Sequence, residues 1–210
     1  MKWHNKLEPA KQEFRAQGQL LIARDVNRNG KIFKMFKVFE DMTEFKQYEA
    51  EKRSLNECHF FEMIDGPQRL YMDVDIKDNT DHQLADVAIL DLVEFIKTKY
   101  ITRVSIYRSH PTTGTKQSYH VILNNIAVID NIQCKKRIIE LLSSYDNKYN
   151  LVQYIDLLVY KTNQQLRLLG SSKIGSSNVK IPTMDTSSKL EDSFVSCYHN
   201  SENVTYLPTM

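Results

Sequence analysis

The sequence predicts an α+β fold in which antiparallel strand pairs pack against separate helices. Three observations carry that expectation. Runs with strand-like alternation or unbroken apolar character recur along the chain. Segments of helical period are mixed among them rather than following each strand in turn. Neighbouring strand-like runs are joined by turn residues, as in hairpins, which favours α+β over a doubly wound parallel sheet.

In chain order, the first thirty residues are polar and close on the turn signal Arg28-Asn29-Gly30, after which IFKMFKVF alternates as a strand does. Asp41 to Leu55 is charged, lacks Gly and Pro, and sets Phe45 and Tyr48 three apart, which predicts a helix. HFFEMI (59–64) and RLYMDVDI (69–76) are predicted strands about the turn Asp65-Gly66-Pro67, and they are expected to pair as a hairpin. From Asn79 to Tyr100 the period changes. Leu84, Ala88, Leu92, Phe95 and Ile96 fall on one helical face, with Asp78 and Thr80 as candidate caps. RVSIYRS (103–109) and SYHVILNNIAVI (118–129) are strands flanking the turn Pro111–Gly114, and Ile138, Leu141, Leu142 and Tyr145 mark another helix. YIDLLVY (154–160) and QLRLLG (165–170) are the last expected strands. Beyond Ser171 the chain turns Ser/Thr-rich, so residues 1–185 are expected to form the core and 186–210 a polar C-terminal segment, frayed or leading into a further domain.

Composition narrows the class. A chain of 210 residues exceeds the roughly 150 of a typical domain by less than half, which suits one domain or a tightly joined pair. Apolar residues at 41% and charged residues at 26% describe a globular protein, and 6 Gly with 5 Pro exclude collagen-like and low-complexity classes. No run approaches the ~18 apolar residues of a membrane span, and the opening MKWHNKLEPAKQEFR lacks the apolar region of a secretory signal. No membrane partner is therefore expected, and an intracellular location is. Three cysteines, Cys58, Cys134 and Cys197, are odd in number and far apart, which fits free thiols in a reducing compartment. Net charge is 28 − 26 = +2, so any basic surface must come from local clustering.

The most informative stretch is Tyr71-Met72-Asp73-Val74-Asp75-Ile76. Alternation along a strand points Asp73 and Asp75 to one side, about 7 Å apart. A divalent cation between them would resolve their repulsion, and hard oxygen ligands suit Mg²⁺ or Mn²⁺. Alone, such a triplet describes a solvated strand end better than a metal site. Asp156 adds a third carboxylate, lying inside the otherwise apolar YIDLLVY, where a lone acid needs a reason. Three acids on strands could hold two cations about 3.5–4 Å apart, the arrangement of nucleotidyl transfer. Lys116, Ser118 and His120 alternate onto one face and offer an ammonium, a hydroxyl and an imidazole in a row, a donor set for phosphate. Residues 157–184 hold no acid but carry Lys161, Arg167, Lys173 and Lys180 around the turn Gly170-Ser171-Ser172, which reads as a phosphate grip or as a solvated basic loop.

Together these blocks resemble the archaeo-eukaryotic primase (AEP) superfamily, in the branch of primase-polymerases and the primase domains of large DNA virus primase-helicases. The resemblance rests on HFFEMIDGPQRLYMDVD, KQSYHVIL, YIDLLVYKTNQQLRLLGSSKIG and LEDSFVS in that order, from Glu57 to Ser196. It implies two α/β lobes, one with an RRM-like catalytic sheet. It implies metal-binding carboxylates at Asp73, Asp75 and Asp156, and phosphate contacts from Ser118 and His120 with Lys116 beside them. Arg167 and Lys173 match basic positions that hold the triphosphate, while Gln164 stands where relatives often place a further basic residue, leaving Lys161 or Lys180 to compensate. Phe61 matches a position where relatives set an aromatic near the sugar, although Phe60 and Phe61 alternate and one of them must pack into the core. The implied activity is template-directed joining of nucleoside triphosphates on single-stranded DNA with two divalent ions, Mg²⁺ or Mn²⁺. A replicative helicase, fused or separate, is the implied partner, and a viral member would act in the host cytoplasm or nucleus. The chain lacks a G-x-x-x-x-G-K-[ST] loop of its own. Cys197-Tyr198-His199 offers only two zinc ligands and is not read as a site. Two other readings remain: an inactive relative that binds single-stranded DNA, and a metal-dependent nuclease.

Overall fold

The computed structural model describes residues 2–14, 18–77, 82–109, 116–183, 189–196 and 204–208. The candidate caps Asp78 and Thr80, the turn Pro111–Gly114 and the Cys197-Tyr198-His199 triplet lie outside the described residues. Among the described residues, four helices, α1 (Leu7–Glu13), α2 (Met42–Ser54), α3 (His82–Lys99) and α4 (Asn131–Leu142), pack on two sheets. The strands are β1 (Leu20–Arg28), β2 (Lys31–Phe39), β3 (Phe60–Ile64), β4 (Gln68–Ile76), β5 (Val104–Ser109), β6 (Gln117–Val128), β7 (Gln164–Arg167), β8 (Lys180–Pro182) and β9 (Thr205–Tyr206). The first sheet runs β2-β1-β3-β7, all antiparallel. The second runs β4-β6-β5-β8, also antiparallel, with β9 joining β6 in parallel. Mixed antiparallel sheets with surface helices agree with the α+β expectation.

β1 and β2 form a hairpin from Leu20↔Phe39 to Arg28↔Lys31. Asn29 (φ 55°) and Gly30 (φ 78°) both adopt the left-handed backbone that a two-residue I′ turn demands, which Asn tolerates and Gly meets without steric cost. The polar character of the first thirty residues concealed both α1 and β1. The buried Leu20, Leu21, Ile22 and Ala23 are the only strongly apolar run there.

The expected β3–β4 hairpin does not form. Both edges of β3 are taken, by β1 and β7, while β4 pairs with β6 in the other sheet. Asp65-Gly66-Pro67, with Gly66 at φ 99°, is therefore a crossover between sheets. All five residues of β3 are buried, as a strand covered on both faces requires. The expected strand at 154–160 is also absent. Leu151–Tyr154 and Leu157–Val159 are single 3₁₀ turns, and only Ile155 makes a lone bridge to Val74. A full strand there would aim alternate residues outward. The two turns instead bury Val159 and Tyr160 together, and the Tyr160 hydroxyl donates to Tyr71 O at 2.7 Å.

The main core lies around the second sheet. Ala85, Ala88, Ile89, Leu92, Val93 and Ile96 of α3 and Cys134, Ile138 and Leu141 of α4 bury against Leu70, Met72, Val74, Val121 and Ile122. Leu84, expected on the buried face of α3, is 47% exposed, because the face is rotated toward Ala85 and Ile89. Asp86 of α3 accepts from Tyr119 and Arg108, so α3 covers the sheet face opposite Asp73 and Asp75. A second, aromatic cluster sets Phe39, Phe45, Phe60 and Phe194 edge to face beside α2. Phe194 belongs to a strap at Leu190–Ser196 whose Phe194 and Val195 are wholly buried.

Glu62, fully buried on β3, fastens that strap. Its carboxylate accepts from Val195 N (2.9 Å), Ser196 N (3.0 Å) and Ser196 Oγ (2.8 Å). Burial raises Glu62 to about 7 despite these donors and the Arg69 charge. A carboxyl that titrates above its ordinary 4.5 when folded binds more protons than the unfolded chain between the two values, so its contribution to stability falls as pH rises through that window. Urea unfolding at about pH 5 and about pH 7.5 should show a larger fall in unfolding free energy for the wild type than for Glu62→Gln. Equal falls would mean that Glu62 does not titrate in this window.

Candidate active site

β4 and β6 pair with Asp73 opposite His120 and Asp75 opposite Ser118. β5 and β8 extend the same rows, with Tyr107 opposite His120 and Lys180 opposite Ser109. Opposed residues of an antiparallel pair share a face, so the DxD and SxH series become one polar surface. The wall across from it is supplied by the first sheet, where Phe61 pairs with Arg167 and Met63 with Gln165. Between the walls lies a cleft of about 240 Å³.

Eight of the nine expected site residues line that cleft: Phe61, Asp73, Asp75, Lys116, Ser118, His120, Arg167 and Lys173. Asp156 does not line it, yet it is held beside Asp73 by a bond from its own N–H to Asp73 O at 2.8 Å. Its carboxylate caps the second 3₁₀ turn, accepting from Leu158 N at 2.8 Å. Lys116 Nζ meets Asp75 Oδ2 at 2.7 Å. Arg167 Nη1 donates to Asn178 O at 2.9 Å, which pins the guanidinium at the cleft wall. Lys161 is exposed and lines no part of the cleft, whereas Lys180 is wholly buried below it. The Lys180 ammonium donates to Ser118 O at 3.2 Å and Ser118 Oγ at 3.1 Å. Ser109, Gln165, Leu166, Ser176 and Asn178 complete the lining and were not foreseen. The Ser105-Tyr107-Ser109 alternation of RVSIYRS was the available signal for the first of them.

Charge is finely opposed in this space. Burial, with the Asp75 and Asp156 charges, pushes Asp73 above the ordinary carboxylate range against the pull of Lys180. Burial also works to raise Asp75, but the Lys116 ammonium and the Ser118 hydroxyl outweigh it and hold Asp75 below the usual carboxylate range. Burial draws Lys180 below the ordinary lysine range, Asp73 notwithstanding. Burial and the neighbouring Lys180 and Arg167 charges keep His120 neutral, its value well below the ordinary one. Asp73 Oδ1 and His120 Nε2 stand 3.8 Å apart, too far for a hydrogen bond, and Asp73 Oδ1 is buried with no partner.

Residues 29–184 match the family model of the C962R protein N-terminal AEP domain, and the chain belongs to this AEP family. One relative, described as a helicase/primase complex protein of African swine fever virus (isolate Pig/Kenya/KEN-50/1950), is 27% identical over 184 residues. The match covers 76% of this chain and 17% of the relative, so the chain spans about a sixth of that protein's length. Among the described residues, no helix is long and apolar enough to cross a membrane.

Divalent cations accompany AEP primases in general, and the donor set can be tested against that. Among the described residues no three His, Cys, Asp or Glu side chains gather closely enough to cage a metal. Two carboxylates on one face, one with an unpartnered buried oxygen, nevertheless fit the oxygen chemistry of Mg²⁺ or Mn²⁺. A cation that binds only the folded state raises the melting temperature. Mg²⁺ or Mn²⁺ should therefore raise it in the wild type, reversibly with chelator, and raise it far less in Asp73→Asn or Asp75→Asn. An equal rise in all three would move the cation elsewhere.

Proposed function

We propose that this chain is the catalytic unit of a DNA primase or primase-polymerase that joins nucleotides on a single-stranded DNA template with two divalent ions, Mg²⁺ or Mn²⁺. The observation that carries the reading is the register that sets Asp73 and Asp75 against His120 and Ser118, with Arg167 on the facing wall. Family membership and the description of the viral relative as a helicase/primase complex protein support the same direction. Residues 1–185 with the Leu190–Ser196 strap form the unit, and a replicative helicase in a virus-infected cell is the proposed setting.

In the reaction the 3′-hydroxyl of the growing strand gives up its proton to solvent and its oxygen bonds to the α-phosphorus of the incoming nucleotide, while the bond to the bridging oxygen breaks and pyrophosphate leaves. Bound divalent ions supply Lewis acidity to the attacking and leaving oxygens. Asp73 and Asp75, with Asp156 behind them, provide the carboxylates that hold those ions. Lys116, Ser118 and neutral His120 present N–H and O–H donors to phosphate oxygens, and Arg167 and Lys173 bring positive charge from the opposite wall. Lys180 works from below: its two bonds to Ser118 fix that hydroxyl, and its charge offsets Asp73.

The decisive experiment incubates the protein with Mg²⁺ or Mn²⁺, primed and unprimed single-stranded template and labelled nucleotides. Strand growth supports the proposal, cleavage marks a nuclease, and neither marks an inactive binding relative. Asp73→Ala, Asp75→Ala and Asp156→Ala should each abolish growth while the protein stays folded. Lys116→Ala, His120→Ala and Arg167→Ala should weaken nucleotide binding by roughly tenfold to a hundredfold, the loss of a charge-assisted bond of about 1.5–3 kcal/mol, with template binding retained. Full growth in any carboxylate variant would refute the assignment.

Phe61 is 8% exposed and lines the cleft, with Lys34 Nζ 4.0 Å from its ring centre. We assign it to the sugar: its ring gives a 2′-hydroxyl no hydrogen bond, and an unpaired buried hydroxyl costs about 1–3 kcal/mol. Phe61→Ala should therefore raise ribonucleotide relative to deoxynucleotide incorporation by roughly tenfold. An unchanged ratio, with only a lowered melting temperature, would make Phe61 a packing residue.

A further inference from the structure

The β1–β2 hairpin runs past the sheet it belongs to. β1 pairs with β3 only from Ile22 to Arg24, and a last bond from Asp25 N to His59 O (3.1 Å) ends that contact. Beyond it, Val26–Arg28 and Lys31–Phe33 pair with each other alone, as a two-stranded arm. Such an arm is marginal in water, and this one exposes two large apolar side chains near its tip, Ile32 at 58% and Phe33 at 46%. Burial inside the molecule does not account for them.

Charge at the tip is equally unresolved. Arg28 and Lys31 stand directly opposite, so two cations share one face with Phe33, a pairing that opposes folding of the arm. Neither has an acidic partner among the described residues; Arg28 donates only to Met35 Sδ at 3.2 Å. Asp25, the nearby acid, points to the other face and is taken by Lys34 at 2.9 Å. That other face leads back to the cleft, because Lys34 also donates to Gln165 at 2.6 Å and lies over the Phe61 ring. Unpaired cations beside an exposed ring are the chemistry of phosphates and an unstacked base together.

We propose that the β1–β2 arm is a binding surface for single-stranded nucleic acid, with Phe33 stacking on a base and Arg28 and Lys31 holding the flanking phosphates. The inference rests on the polymerase reading only in taking that strand to be the template, which would cross the edge of the arm from the Phe33 face to the Lys34 face to reach the cleft. Binding itself is independent of catalysis.

The test measures fluorescence anisotropy of a labelled oligothymidylate of about twenty nucleotides with the full chain, without nucleotide or metal, across a salt series. Phe33→Ala should weaken binding by about fivefold to a hundredfold, the range for one lost base stack. Arg28→Gln/Lys31→Gln should weaken it and lower the slope of log affinity against log salt by about 1.4, two phosphate contacts at about 0.7 each. Binding of a fluorescent nucleoside triphosphate to the cleft, and the melting temperature, should match the wild type in both variants. Wild-type oligonucleotide affinity in folded variants overturns the proposal, as does a wild type with no measurable affinity. An equal loss on a closed-circular duplex from Phe33→Ala also overturns it, since an internal base pair, stacked on both sides, offers no free face. If the wild type binds the oligonucleotide through the arm but adds no nucleotide to a primer, the arm stands and the polymerase reading fails.

Discussion

A carboxylate drawn largely out of water needs a charge to answer it, and Asp73 keeps only 17% of its side chain exposed. The β4–β6 register places His120 opposite, but a neutral imidazole 3.8 Å away does not compensate an anion. The answer comes from Lys180, drawn wholly inside from the short β8 at the far edge of the sheet. An ammonium without exposure is costly in its turn, so it is tied to Ser118 and to the field of the acids. Most of the sheet's polar face follows from this exchange. Ser118 is fixed by Lys180, Lys116 is drawn onto Asp75, and one oxygen of Asp73 is left without a partner.

Such a site is poor for stability and well suited to chemistry. Two acids two residues apart on one strand repel, and a buried unpartnered oxygen forfeits a hydrogen bond worth about 1–3 kcal/mol. The molecule offsets this away from the cleft. α3 and α4 bury a continuous aliphatic face against the second sheet, and the edge-to-face aromatic cluster anchors α2 on the first. The unsatisfied groups gather where a cation and an anionic ligand would satisfy them together, which is what a pre-organised polar site requires.

How much of this was legible in the sequence depends on range. Alternation alone put Asp73 with Asp75 and Lys116 with Ser118 and His120, because a side-chain period of two is a local property. That these rows would oppose each other is a matter of register, which the sequence does not state. The β3–β4 error has the same root: Asp65-Gly66-Pro67 is good turn chemistry, and a turn does not say whether the chain pairs back or crosses to another sheet. Asp156 was found for a reason that proved false, since its segment is two 3₁₀ turns and not a strand, although it does lie beside Asp73. Lys180 was read as one of the spaced cations of residues 157–184 and as a substitute for a missing base at Gln164, never as a buried partner of the acids. Nothing in VKIP announces a buried ammonium, because its partner lies 62 positions away.

The two walls of the cleft belong to different sheets, so its width depends on what joins them. The Leu190–Ser196 strap does so through opposite ends of the same residues. Glu62, on the first sheet, takes the N–H groups of Val195 and Ser196. Arg69, on the second, gives its own N–H to Val195 O at 2.8 Å and its guanidinium to Phe194 O at 2.9 Å. Ser193 Oγ adds a bond from Leu169 N at 3.4 Å, just past the Arg167 strand, and Phe194 fills the aromatic cluster below. A segment of the stretch expected to be only a polar C-terminal extension of the core is thus the clasp between the sheet that carries the acids and the sheet that carries Arg167 and Phe61. Loss of the clasp would leave the walls joined chiefly through the core they share at Ile64 and Leu166, and a displacement of about 1 Å at reacting groups can cost on the order of a hundredfold in rate. Residues that touch no ligand, Glu62 and Arg69 foremost, are therefore as much a condition of the site as the carboxylates that line it.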